Sequence, residues 1–144
     1  MIEQDTIKLL RECDAGVKMG TKSIEDVLDS VKSPTLRELL NRCREEHLKL
    51  DHEIAEELDR FDDDGKAPNP IAKGMSWLKT SVKLTVDSSD ATVADLMTDG
   101  CNMGVKSLNR YLNQYEAAEE FSKDICKRLI NLEEKLAIDI RGYL

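Results

Sequence analysis

A chain of 144 residues with 35% charged side chains, 4% aromatics and a net charge of −8 is long enough to bury one substantial core, and its balance is that of solvated helices around an aliphatic interior. The acidic charge argues against a general affinity for nucleic acid or anionic membrane, since either would have to be met by a local basic patch. No apolar run approaches the roughly 20 residues needed to span a bilayer, and the opening MIEQDTIKLL lacks the basic flank and apolar centre of a signal peptide, so a single cytoplasmic all-α domain with no transmembrane segment is expected.

Taken in chain order, Ile7, Leu10, Asp14, Val17, Thr21, Ile24, Leu28 and Val31 recur at spacings of three and four, which predicts a first helix over about 2–31. Ser33 and Pro34 then supply an N-cap and a first-turn proline. The stripe Leu36, Leu40, Cys43, His47, Leu50, Ile54, Leu58 and Phe61 predicts a second helix over about 34–62, antiparallel to the first because the link is short. Asp62-Asp-Asp-Gly65 and the proline-rich KAPNP that follows end that helix and begin a crossover. A shorter helix at about 70–86 is expected there, with Ile71, Met75, Leu78 and Val82 on one face and Trp77 at its side. Lys66, Lys73, Lys79 and Lys83 make this stretch locally basic, suited to docking on an acidic bundle.

Asp87-Ser-Ser-Asp90 offers the next cap, and Ala94, Thr98, Cys101, Val105, Leu108 and Leu112 predict a third main helix over about 90–114. No glycine or proline interrupts the chain from Val105 to Arg141, so one very long helix is an alternative. The stripe nevertheless resumes out of phase at Phe121, Ile125, Leu129, Leu132, Leu136 and Ile140, which favours a turn near 113–117 and a last helix over about 117–142.

The segment GVKMGTKS, Gly16 to Ser23, returns 84 positions later as GCNMGVKS, Gly100 to Ser107. A phosphate-binding loop needs adjacent glycine and lysine after a strand. Here a residue separates them, and each copy lies inside an amphipathic helix whose amides are already bonded. Internal duplication of a helical hairpin explains both copies. It assigns Gly16, Gly20, Gly100 and Gly104 to a close crossing of the first and third main helices, because missing side chains let helices approach.

Two related hairpins joined by a helical crossover are the plan of a ferritin-like antiparallel four-helix bundle. On Leu9-Leu-Arg-Glu-Cys-Asp-Ala-Gly16, Gly74-Met-Ser-Trp-Leu-Lys79, Asp99-Gly100 and Lys106-Ser107, the chain resembles an uncharacterised family of bacterial ferritin-like bundles, a domain of unknown function. The resemblance implies the fold and an ancestral metal site, and no established activity. The di-iron plan draws a glutamate from each of two helices and Glu-x-x-His from the other two. Here the only histidines, His47 and His52, share one helix and follow Arg44 and Lys49 at that spacing.

A degenerate iron or manganese site could draw on Asp14, His47, Asp99 and Glu133. Asp14 and His47 stand on otherwise apolar stripes, so each needs a partner if buried. The alternatives are a hydrogen-bonded core histidine with an aspartate reaching water or Thr98, or a mutual pair or ligand site. Cys13, Cys43, Cys101 and Cys126 show no C-x-x-C spacing and are expected to be buried, reduced thiols. With no serine elbow and no in-chain nucleophile and base, catalytic residues and a cofactor are not expected. The reading is a non-enzymatic interaction or structural module, with a protein partner or a second copy possible. The alternative is a ferritin-like metal-binding or redox protein.

Overall fold

The structure, a computed structural model, describes residues 1–65 and 87–144. The expected crossover helix, Trp77 and the four crossover lysines lie outside the described residues. Among the described residues the fold is all-helical, with no strand: α1 spans Ile2–Leu28, α2 Pro34–Asp59, α3 Asp90–Gln114 and α4 Glu120–Ile140, and a 3₁₀ turn covers Arg141–Tyr143. None of these helices is long and apolar enough to cross a membrane.

Helix ends follow local chemistry. Ser33 Oγ accepts from Leu36 N at 3.2 Å with Pro34 at the first helical position, and Ser89 Oγ accepts from Thr92 N at 3.2 Å, so both caps read from the sequence are formed. α1 stops at Leu28 rather than at 31, because Ser30 and Val31 donate to Val27 and Leu28 in tighter i to i−3 bonds. α2 stops at Asp59 rather than at 62. Asp62 enters the left-handed region at φ 53 and Asp63 N returns to Leu58 O at 3.1 Å, a closing turn that aspartate tolerates better than most residues. Gly65 follows at φ 89, where an added Cβ would also collide with the Asp14 carboxylate.

The break between α3 and α4 has no glycine or proline. It is made by tertiary hydrogen bonds: Asp5 Oδ2 accepts from Ala117 N at 3.1 Å and Thr6 Oγ1 from Glu119 N at 2.9 Å. These hold Glu119 extended and start α4 at Glu120, three residues later than the stripe suggests. The turn between α1 and α2 is held in the same manner from the other side of the molecule, by Asp90, whose carboxylate accepts from Lys32 N at 2.7 Å and Ser33 N at 3.0 Å.

α1 packs along α2, α4 along α3, and two further contacts, α2 with α4 and α1 with α3, close the group. Along α1 and α2, Val31 O accepts from Arg37 Nη2 at 2.7 Å, Glu25 pairs with Arg44 at 3.3 Å, and Gly20 lies against His47. α1 also meets α4 at a constant offset: Thr6 with Glu119, Gly16 with Leu129 and Gly20 with Glu133.

The interior is divided in two. One apolar cluster holds Leu10, Val17, Leu50, Leu108 and Leu129, and the other Ile24, Cys43, Cys101, Leu136 and Ile140. Each fully buried aliphatic side chain contributes on the order of 1.5–3 kcal/mol. Between the clusters, on each helix in turn, fall Gly20, His47, Gly104 and Glu133.

Two outcomes test this account by urea unfolding. Asp90→Ala removes the acceptor for two loop amides and is expected to lower stability by roughly 1–2 kcal/mol. Gly100, exposed with open space around an added Cβ, is expected to gain up to about 1 kcal/mol as Gly100→Ala from helix propensity alone.

Candidate functional site

At the middle of the bundle His47 Nε2 lies 2.8 Å from Glu133 Oε1, with the imidazole fully enclosed and Glu133 only 8% exposed. The other ring nitrogen, Nδ1, donates to the backbone carbonyl of Cys43 one turn earlier on α2, at 2.8 Å. Since that carbonyl can only accept, Nδ1 carries a hydrogen, and the remaining proton of the site lies between Nε2 and the carboxylate. Burial works against charging the ring. The contact with Cys43, and then the hydrogen bond and charge of Glu133, outweigh it and raise His47 from 6.5 to about 10, so the pair is an imidazolium bonded to a carboxylate.

Two glycines flank this pair, and one of them makes room for it. A Cβ on Gly20 would stand 2.6 Å from His47 Nε2 and 3.2 Å from Glu133 Oε1, so the imidazole fills the space that α1 leaves vacant. Gly104 on α3 faces the other side of Glu133, with Oε2 at 3.6 Å from its Cβ position. Cys43 Sγ lies 3.5 Å from His47 Nδ1. Burial, and then the neighbouring Glu133, hold the Cys101 thiol far above the ordinary thiol range.

This arrangement changes the expected role of the repeated glycines. The atoms nearest to Gly16, Gly20 and Gly104 are side chains of other helices, not backbone: Leu129 at 3.5 Å and Leu108 at 3.7 Å for Gly16, and His47 or Glu133 for the other two. Gly100 faces open space. The four therefore do not form a close crossing of α1 with α3. Two of them flank the ion pair, one accommodates leucine side chains, and one is exposed.

Of the four candidate ligands, only His47 and Glu133 come together. Asp14 is buried, at 2% exposed, and is bonded to Lys18 Nζ at 2.6 Å near the Gly65 turn. Asp99 is exposed on α3. Among the described residues no three histidine, cysteine, aspartate or glutamate side chains are grouped as metal ligands would be. Thr98 is not the partner of Asp14: its buried Oγ1 has no hydrogen-bond partner among the described residues. His52 is exposed and pairs with Glu56 at 2.9 Å.

Cys43–His47–Glu133 has the outline of a thiol, base and orienting acid. It cannot work as one, because Nδ1 already donates to a carbonyl and cannot accept the thiol proton, and because the imidazole is closed off from solvent. The inward placement of Glu133 beside the partly buried Leu132 is not visible in an apolar stripe; the signal is the pairing of glycines on two helices with a histidine on a third. No family model, no curated protein and no solved structure matches the chain.

Gly20→Ala is expected to destabilise by roughly 1–3 kcal/mol, since the buried imidazole it would strike is held through both nitrogens and can shift only by straining those bonds. Gly104→Ala, whose Cβ makes only ordinary contact, is expected to be neutral or mildly stabilising in the same urea experiment. The raised His47 value sets the pH dependence. The pair's contribution is full below about 6.5 and is lost as pH rises through about 10, so the unfolding free energy should fall between pH 6.5 and 8, by at most about 1.4 kcal/mol per unit. Glu133→Gln should flatten that slope. At neutral pH both ring N–H protons of His47 should appear in a proton–nitrogen correlation spectrum; a ring with one protonated nitrogen would contradict the ion-pair assignment.

Proposed function

We propose that the chain is a ferritin-like, antiparallel four-helix bundle made of two related hairpins, and that it serves in the cytoplasm as a non-enzymatic interaction or structural module. One observation carries the functional half of this reading. The ionisable side chains at the bundle centre are bonded to each other and to the backbone, His47 through both nitrogens, leaving neither a base nor an imidazole ligand available to a substrate.

Support for the bundle plan comes from register. As α1 is read backward from residue 31, its partners on α2 rise from 37 through 44 and 47, whereas its partners on α4 rise together with it. Neighbouring helices then run in opposite directions and the diagonal pair in the same one, as in bundles with a single long crossover. Support for duplication comes from the turns. Residue 90 is residue 6 displaced by 84, and residues 33 and 117 stand at the same displacement. Residues 5 and 6 tie the second turn while Asp90 ties the first, as a pseudo-twofold relation between hairpins requires.

The ferritin-like plan implies a di-iron or di-manganese centre, and the residues here do not fit one. The plan takes carboxylates from all four helices. At this level α1 and α3 present Gly20 and Gly104, α2 a histidine already committed to a carboxylate, and α4 one glutamate. After anaerobic loading with Fe(II) or Mn(II) and removal of excess metal, the protein is expected to retain no stoichiometric metal and to show no ferroxidase activity. Two tightly held metals per chain, lost in His47→Gln and Glu133→Gln, would replace this reading with the metal-binding one.

A further inference from the structure

The parallel seam between α1 and α4 has a fixed offset of 113: residue 6 meets 119, residue 16 meets 129 and residue 20 meets 133. The same offset sets Cys13 opposite Cys126. Both are fully enclosed in the cluster that includes Leu9, Leu10, Val17 and Leu129, and the neighbouring Cys126 thiol, ahead of burial, pushes the Cys13 thiol up. Cys126 Sγ donates to the Leu108 carbonyl at 3.7 Å. The other two cysteines are engaged differently, Cys43 beside His47 and Cys101 beside Glu133.

We propose that Cys13 and Cys126 are a latent disulfide pair, able to close by exchange with a small-molecule disulfide and so to staple α1 to α4. The Cys13 thiolate attacks one sulfur of the oxidant, forming a mixed disulfide and releasing one thiol. The Cys126 thiolate then displaces the second thiol. Two protons leave the protein, the protein sulfurs are oxidised by two electrons, and the oxidant is reduced to two thiols.

Two features of the site govern the rate. Neither sulfur is reachable from solvent, and contact with Cys126 together with burial holds the Cys13 thiol well above its ordinary range, whereas exchange needs a thiolate. The first step therefore runs from conformations in which the helices have opened locally. Once they repack, Cys126 is the sulfur that the seam returns to Cys13, so the mixed disulfide resolves to this pair. The closed bond links segments far apart in the chain and restricts the unfolded ensemble.

The test uses the full chain, incubated at pH 8 with glutathione disulfide across urea concentrations below the unfolding midpoint. Linkages are mapped by non-reducing digestion and mass spectrometry. The expected product is a Cys13–Cys126 crosslink that forms faster as urea rises and has a higher urea midpoint than the reduced chain. A Cys43→Ser, Cys101→Ser double variant should give the same crosslink, and Cys13→Ser should stop at mixed disulfides. Dominance of another linkage, a mixture without preference, a lower midpoint in the crosslinked product, or retention of all four thiols at urea concentrations where iodoacetamide labels Cys13 would each overturn the proposal.

Discussion

The bonded pair of His47 and Glu133 is the constraint around which the bundle is arranged. An imidazolium and a carboxylate in an apolar interior are tolerated only if each satisfies the other. Here each is reached from a different helix, with a backbone carbonyl completing the ring's bonds. Sliding α2 against α4 by one turn would set two charges against leucine and isoleucine, so the pair selects one register where a purely aliphatic seam would accept several. Removing one partner of such a pair costs roughly 3–5 kcal/mol, far more than the pair adds over well-packed hydrophobic residues.

Space for the imidazole comes from α1. Gly20 is conformationally unfavourable inside a helix by about 1 kcal/mol relative to alanine, and the offset is that the imidazole occupies the volume its side chain would have taken, whereas a Cβ on Gly104 would make ordinary contact with Glu133. Above and below this layer the helices pack by aliphatic side chains in two separate clusters. Polar chemistry in the middle and apolar packing at both ends leave a centre whose histidine and glutamate are bonded to each other.

Architecture and site were legible to different degrees. The caps at Ser33 and Ser89, the proline at the start of α2 and the three-four spacing of apolar residues are local, and the structure forms them where the sequence places them. The turn between α3 and α4 is not local. Nothing in 113–120 forbids a continuous helix, and the break depends on Asp5 and Thr6, more than a hundred residues away. Glu133 was legible as a candidate ligand but not as a core residue, because Leu132 beside it is the apolar member of the stripe, and its inward position is fixed by the bond to His47 on another helix.

The sequence by itself determined the amphipathic helical stripes, the caps at Ser33 and Ser89, the net acidic charge and the burial of the four thiols, since each follows from propensity, periodicity and charge within a few turns of chain. Only the tertiary structure decided that His47 meets Glu133 rather than Asp14 or Asp99, that Gly20 leaves space for the imidazole while Gly100 faces open space, and that Cys13 and Cys126 share one apolar cluster. These are relations between helices. They depend on register and on which volume is empty, and neither quantity is carried by any one segment until the segments pack.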